Sequence, residues 1–327
     1  MAVPSDVQRA VAALAAKKPR HDLLWRYFDG DQPLVYSSEK LREIFSGLDA
    51  RFTENWCGVV VNSVLDRMVL RSLSVSSDDA ASDAVQAVRE ESGLVDDEYQ
   101  IHEDLCVTGE SFVIVWPNEE TGAIEAFQND SRLCHAEYDG ANPRAMRFGA
   151  KWWPTDTGGV RLTLYYPDRF EYYVTGKSFK TGETPDAKAF EPYGDDPVMP
   201  NPYGQIPMFH FRSNRRRPKS QLSGVIEVQD MVNKLLADCM VAAEFGAFRQ
   251  RYVISQAGIA NLQNNPNAIW DLVAADKDSQ PTTVGEFQPT ELANYLEAIN
   301  KLSADIGIIS RTPRHYFYAQ GGDPSGE

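Results

Sequence analysis

"GVIEVQDMVNKLLADCMVAAEFGAFR" occupies residues 224–249 and reads as one uninterrupted helix. At 1.5 Å per residue it would be roughly 39 Å long. Val225, Val228, Val232, Leu235, Cys239, Ala242 and Ala243 run along one side of it, while Asp230, Lys234 and Asp238 follow each other at i,i+4 on another. Working outward, residues 251–288 form a small mixed module: "RYVIS" and "IWDLVAA" have strand character and "GIANLQNN" that of a short helix. A second long helix is expected from Thr290, where Pro289 and a Thr cap suit a start. It runs through Leu292, Leu296, Ile299, Leu302, Ile306 and Ile309 to about Ser310, and Pro313 ends it. Helix out, small tip and helix back make a stalk. With polar stripes on both arms, such a stalk cannot bury itself and needs neighbours.

Just ahead of the first long helix lies a basic run, Arg215, Arg216 and Arg217, in a chain whose formal net charge is −15. From Arg212 to Arg251 there are eight bases (Arg212, Arg215, Arg216, Arg217, Lys219, Lys234, Arg249, Arg251) against four acids (Glu227, Asp230, Asp238, Glu244), so this region is locally +4. Such a run is a nucleic-acid patch, a docking loop or a solvated turn. A pI near 4.8 argues against a basic groove that wraps nucleic acid.

At 327 residues, with 43% hydrophobic and 24% charged residues, the chain fits a soluble globular protein of one or two domains. No apolar run is long enough to span a bilayer, and the N-terminus lacks the basic-then-apolar order of a secretion signal. Cys57, Cys106, Cys134 and Cys239 form no CxxC pair and suit a reducing compartment.

Upstream, residues 5–28 read as a helix capped by Ser5 and interrupted or restarted at Pro19, followed by the turn "YFDGDQPL" (27–34). Further helices are expected at about 38–46 and 48–70. Between Ser74 and Asp104 ten acids face a single base, Arg89, on interrupted helices with an acidic outer surface. At Gly109 the character changes. "ESFVIVWPN", "IEAFQ", "RAMRFGAKWW", "GVRLTLYYPDRFEYYV" and "KSFKT" are β-rich and separated by turn residues, and "NPYGQIPMFHF" closes the segment with one more strand, so residues 110–212 read as antiparallel β structure. The fold class is therefore α+β.

Catalytic signatures are missing. Neither GxGxxG nor GxxxxGK[ST] occurs, and "GESF" (109–112) is not a nucleophile elbow. His102 and Cys106 stand at i,i+4 in "HEDLC", but no second pair completes a metal site. No catalytic residue, cofactor or metal is expected. If an α+β enzyme were hidden here, His135, Glu137 and Asp139 in the β segment would be its home.

Six motifs in order carry a family resemblance: "YFDGDQPL" (27–34), "ENWCGVVVNSVLDRM" (54–68), "GESFVIVWPNE" (109–119), "YGQIPMFHFRSN" (203–214), "SGVIEVQDMVNKLLADCMVAAE" (223–244) and "TPRHYFYAQGGDPSGE" (312–327). Together they resemble the portal proteins of tailed bacteriophages, the head-to-tail connectors of siphophages. The resemblance implies a wing at residues 1–212 (helices 1–108, β-rich 109–212). It implies a first stem helix at 213–250, a small α/β clip at 251–288, a second stem helix at 289–310 and the start of a tunnel loop at 311–327. The family chain continues into a kinked helix and a crown, whereas this sequence stops at Glu327, so the crown is expected to be missing.

The resemblance further implies a homo-oligomeric ring of twelve copies at one capsid vertex of the virion, assembled in the host cytoplasm without a membrane. Double-stranded DNA would pass through it, and the large terminase subunit, head-completion adaptors, major capsid and scaffold proteins would be its partners. On that basis Arg311, Arg314, His315 and Tyr316 are candidates for loose contact with DNA at the tunnel loop. Trp270, Asp276, Lys277 and Phe287 are candidates for docking at the clip, and Arg215, Arg216 and Arg217 for subunit or capsid contact. The alternative within the same virion is a minor capsid or scaffold-binding protein.

Overall fold

A computed structural model of the chain describes residues 4–33, 54–118, 120–179, 183–214, 217–247, 251–254, 283–287 and 291–317. It has an α+β fold in two compact units: Met1–Gln32 with Cys57–Val225, and Pro33–Trp56 with Ile226–Glu327.

In the first unit α1 (Ser5–Phe28) runs straight through Pro19. The proline removes one helical hydrogen bond, but buried residues on both sides of it, Leu14 before and His21, Leu24 and Tyr27 after, hold the axis together. Ser5 is not the cap: Pro4 takes that position with φ −55°, and no side chain caps the first turn. Next come α2 (Trp56–Leu65), α3 (Asp79–Glu91) and α4 (Leu94–Thr108).

Among the described residues, α2 stops well short of residue 70. Its end tightens into Arg67 N–H to Val64 O and Met68 N–H to Leu65 O bonds. Beyond it the Leu70 backbone is gripped from both sides. Its N–H donates to the Glu98 carboxylate and its carbonyl accepts from Arg89, which also bonds Glu98 at 3.0 Å. These tertiary partners replace the helical ones.

The strands are antiparallel throughout. β1 (Glu110–Pro117) lies between β2 (Ile124–Asn129) and β9 (Met208–Arg212). A six-stranded sheet holds β3 (Cys134–Tyr138), β4 (Met146–Pro154), β5 (Val160–Tyr165) and β6 (Arg169–Thr175) in order, with the short β7 (Phe190–Pro192) and β8 (Val198–Pro200) both paired to β6. "KSFKT" forms no strand among its described residues; Gly176 and Lys177 bend, and the Ser178 hydroxyl bonds back to Thr157 O.

Period-two alternation sends β4 residues Phe148, Ala150 and Trp152, with Leu162 and Leu164 of β5, against Val7, Val11 and Leu14 of α1. The opposite face of the same sheet packs Cys134, Ala136, Tyr165 and Phe170 against Phe112 and Ile114 of β1 and Met208 of β9. Phe112 and Phe148 are fully buried, each worth about 2–3 kcal/mol of transfer free energy.

The turn into β1 depends on one glycine. Gly109 has φ +93°, and a Cβ there would lie 2.6 Å from the Lys219 backbone nitrogen. The segment crossing it is tied down by Ser213 N–H to Gly109 O and Gln221 N–H to Cys106 O, both 2.9 Å.

In the second unit α5 (Ile226–Ala247) and α6 (Leu292–Ser310) pack on each other, and β10 (Arg251–Ile254) pairs with β11 (Thr283–Glu286). The extents are those expected for the two long helices within a few residues. Glu291 rather than Thr290 flanks the first turn of α6. The expected helix at 38–46, the segments "GIANLQNN" and "IWDLVAA", and Pro289 and Thr290 lie outside the described residues.

Candidate functional site

In the second unit α5 is tied to the Glu54–Trp56 segment by a polar knot. Gln229 and Asn233, one turn apart on α5, are 0% and 1% exposed. Gln229 Oε1 accepts the Trp56 N–H at 2.9 Å, while its Nε2 donates to Glu54 O at 2.7 Å and Asn233 Oδ1 at 3.1 Å. The Glu54 N–H also reaches Asn233 Oδ1, and the Trp56 indole N–H donates to the Glu54 carboxylate at 2.8 Å. Buried amides hydrogen-bonded in this way fix a register, because any slip leaves them unpaired.

α6 ends in a defined motif. Arg311 adopts φ 60°, the left-handed position usually given to glycine, and the Thr312 N–H returns to Gly307 O at 3.0 Å. Ser310 Oγ donates to Ile306 O at 2.7 Å. A 3-10 turn, Arg314–Tyr316, follows and delivers Phe317 into the unit, 5% exposed, with its ring 5.3 Å from Trp56. Gly307 leaves room for it: a Cβ there would come within 3.2 Å of the Phe317 ring.

The four candidates at this end thus share one exposed cap. Arg311, Arg314, His315 and Tyr316 are all exposed, with the His315 and Tyr316 rings 4.7 Å apart. Phe317, Gln229 and Asn233 are buried and Trp56 is half-buried; the two amides were not singled out from sequence. The signal available was the unbroken polarity of Gln229 and Asn233 beside the helix's acidic stripe.

Of the docking candidates, Phe287 is 60% exposed and tilts against Tyr252 at 5.2 Å. Tyr252 lies across Gly285, where a Cβ would meet the ring at 2.3 Å. Trp270, Asp276 and Lys277 fall outside the described residues, as do Arg215 and Arg216. Arg217 is exposed. It sits in a loop pinched at its base by Ser213, whose hydroxyl donates to Lys219 O at 2.8 Å and accepts the Lys219 N–H at 2.9 Å. On α5, Asp230 is buried at 7% exposure, so the charged stripe expected to face solvent does so only in part; Lys234 and Asp238 are paired with each other.

The first unit contains the other polar cluster, beneath α1. Glu110 accepts from Lys17 Nζ and from His210 Nε2, each at 2.9 Å, and Tyr138 OH donates to His210 Nδ1 at 3.1 Å. Ser131 Oγ donates to Asp104 Oδ1 at 2.7 Å, which leaves it to accept from His21 Nδ1 at 3.1 Å. Burial raises the Asp104 carboxyl to about 7, while burial and the neighbouring Lys17 ammonium lower His21 to about 4. Burial also works against ionised Glu110, but the bonds from His210 and Lys17 overcome it and hold that carboxyl at about 2.

Ser131, His21 and two carboxylates have the composition of a nucleophilic site. Ser131 is 0% exposed, however, so no substrate can meet its hydroxyl. His135 and Glu137 pair at 3.1 Å, whereas Asp139 turns to the Ala141 N–H of its own loop. Those three do not converge. Burial raises the Cys106 thiol to about 11, and its nearest sulfur contact is Met68, not His102. Among the described residues no three potential metal ligands gather, and no helix is long and apolar enough to cross a membrane.

No curated protein matches the chain. The family described as phage portal protein, SPP1 Gp6-like, matches it from residue 9 to residue 327. That match takes in α5 and α6, the β-rich unit and the capped turn after α6, and the chain belongs to this family of phage portal proteins.

Proposed function

We propose that copies of this chain close into a ring of twelve at one vertex of a phage capsid and conduct double-stranded DNA during packaging and ejection. Family membership over nearly the whole chain is the observation that carries this reading. The family is a structural one, and the role proposed is a channel without catalysis. The ring would assemble in the host cytoplasm against scaffold and major capsid protein and reside in the virion.

The helix pair supports assembly in physical terms. On α5, Val228, Met231, Leu235, Cys239 and Ala242 recur at i, i+3, i+7, i+11 and i+14, on the side away from buried Gln229 and Asn233. Met231 remains 46% exposed, and on α6 Leu296 is 54% and Ile308 60% exposed. Two different apolar faces on one antiparallel pair suit a head-to-tail contact, which closes into a ring when the rotation allows. In this reading α5 and α6 belong to the stem (213–250 and 289–310), residues 1–212 to the wing, 251–288 to the clip and 311–327 to a loop entering the bore.

DNA passage asks for weak contact. Each cation on a phosphate adds salt-dependent affinity, and a duplex that must slide tolerates few. Arg311, Arg314, His315 and Tyr316 would supply sparse contacts in a channel whose subunits are strongly acidic. Trp270, Asp276, Lys277 and Phe287 would meet the large terminase subunit and the head-completion adaptors. Arg215, Arg216 and Arg217 would touch a neighbouring copy or the capsid. The test is complementation of a phage lacking its own portal gene with the R311A/R314A chain. Filled heads should fall at least tenfold while rings still form; normal packaging contradicts the channel assignment.

A further inference from the structure

A strand at the edge of a sheet offers unpaired backbone groups to any extended chain, and folded proteins blunt such edges. In the first unit the other edge strands are blunted in recognisable ways. The outward Gln128 N–H on β2 is capped by the Asp97 carboxylate at 3.0 Å. β3 carries a bulge between Glu137 and Tyr138. The short β7 and β8 each end in a proline, Pro192 and Pro200. β9 has none of these devices, although it pairs on one side only, with β1.

Two hydrogen bonds fix the direction of its backbone groups. Val115 N–H donates to Pro207 O and Ser213 N–H to Gly109 O, both at 2.9 Å. Residues 207, 209, 211 and 213 therefore turn their backbone toward β1, and Met208 and His210 turn theirs outward. Among the described residues nothing bonds the outward N–H and C=O groups of Met208 and His210. The side chains split between the two faces. Met208 is buried at 2% exposure, whereas Phe209 and Phe211 on the other face are 46% and 45% exposed. Beside Phe209 a cavity of about 180 Å³ opens between Val115, Pro117, Ile124, Tyr203 and Pro207. At its far end the strand runs into Arg212, Arg217 and Lys219, in a chain whose formal net charge is −15.

We propose that an extended segment of the neighbouring copy adds to β9 as a further strand, a contact that rests on the ring reading given above. Met208 and His210 would supply the main-chain bonds, Phe209 and Phe211 would lie against apolar side chains of the added segment, and the cavity beside Phe209 would receive one of them. Charge favours a second copy of this chain as the occupant. Every copy is strongly acidic, and a locally basic strand end is a place where two such chains meet without repulsion. Each copy has this edge once and would set it against a different part of the next copy. That is a head-to-tail contact, the kind a closed ring requires.

The test is hydrogen exchange on assembled wild-type rings, isolated by size and read at single residues by electron-transfer fragmentation. The Phe209 and Phe211 amides, bonded to β1, are the internal reference. The His210 amide should be as slow as these, about a hundredfold or more below an unstructured amide. F209K/F211K changes two exposed positions, so its thermal midpoint should match wild type while the His210 amide becomes fast and the rings shift to smaller species. A photoreactive benzophenone amino acid in place of Phe211 should link copies of this chain to each other in phage-infected cells. Rings whose His210 exchanges like an unstructured amide, or F209K/F211K rings that keep both protection and size, overturn the proposal and leave the ring standing. Cross-links to a different head protein overturn it in favour of that protein. A wild-type chain that never assembles sinks the ring reading and this contact with it.

Discussion

The ring of Phe317 rests 5.3 Å from that of Trp56, tilted by 49°. Trp56 is in turn fixed by Gln229 on α5 through its backbone and by Glu54 through its indole. The chain leaving α6 is therefore tied back to the helix pair within seven residues of the helix end, and the exposed cap of Arg314, His315 and Tyr316 is held rather than dangling. Removing the Phe317 ring should cost about 3 kcal/mol or more, as for other buried aromatics. Urea denaturation of F317A should show that loss, with Y316A on the exposed side of the same turn changing stability by less than about 0.5 kcal/mol.

Arg311 gives a separable prediction. Its left-handed φ of 60° is an expense that glycine would avoid. R311G should unfold at the same or a higher temperature, by up to about 1 kcal/mol, whereas R311A keeps the unfavourable geometry and should not gain. If R311G is also defective in packaging, the defect belongs to the lost charge and not to a damaged helix end.

Gly109 should tolerate no side chain. A Cβ at that position combines a φ of +93° with 2.6 Å to the Lys219 backbone, and backbone cannot move aside as a flexible side chain can. G109A should cost at least about 2 kcal/mol, read from the denaturation midpoint. G93A, at a similar positive φ but with nothing within 4 Å of the added carbon, should cost less.

Asp104 and His21 make opposing contributions to the pH dependence of stability. Asp104, raised to about 7, takes a proton in the folded chain that the unfolded chain does not hold, so between about pH 4 and 7 it favours folding as pH falls. His21, lowered to about 4, stays neutral in the folded chain while its unfolded form charges below about 6.5, so over nearly the same window it disfavours folding as pH falls. The two largely cancel. D104N removes one side of the balance, and its thermal midpoint should drop more steeply than wild type between pH 6.5 and 4.5. Parallel profiles would contradict this assignment.

Much of this architecture can be read from residue patterns because the pattern and the burial agree. Residues 224–249 and 290–310 have apolar positions at helical spacing and no breaker, and α5 and α6 follow them closely. The strands from 110 to 174 are apolar and aromatic runs bounded by turn residues, as strands packed on both faces are. Pattern fails where long-range contacts override local preference. Pro19 argues for a break in α1, yet the core on both sides of it carries the helix through. The apolar run to Met68 argues for a longer α2, yet Arg89 and Glu98 claim the backbone of Leu70. The buried knot of Gln229 and Asn233 with Glu54 and Trp56 brings together residues from distant parts of the chain, and no spacing rule announces it.

The account stands or falls on assembly. Mass photometry of the purified chain, with negative-stain imaging of the largest species, measures it directly. The expected result is one dominant closed ring with a central hole and about twelve copies, a head-to-tail closure of the kind that two unlike apolar faces on one helix pair permit. L235E, which puts a charge into the outward seam of α5, should shift it to small species while the fold is retained. A chain that stays monomeric at micromolar concentration, or a closed particle with no central hole, would contradict the channel reading.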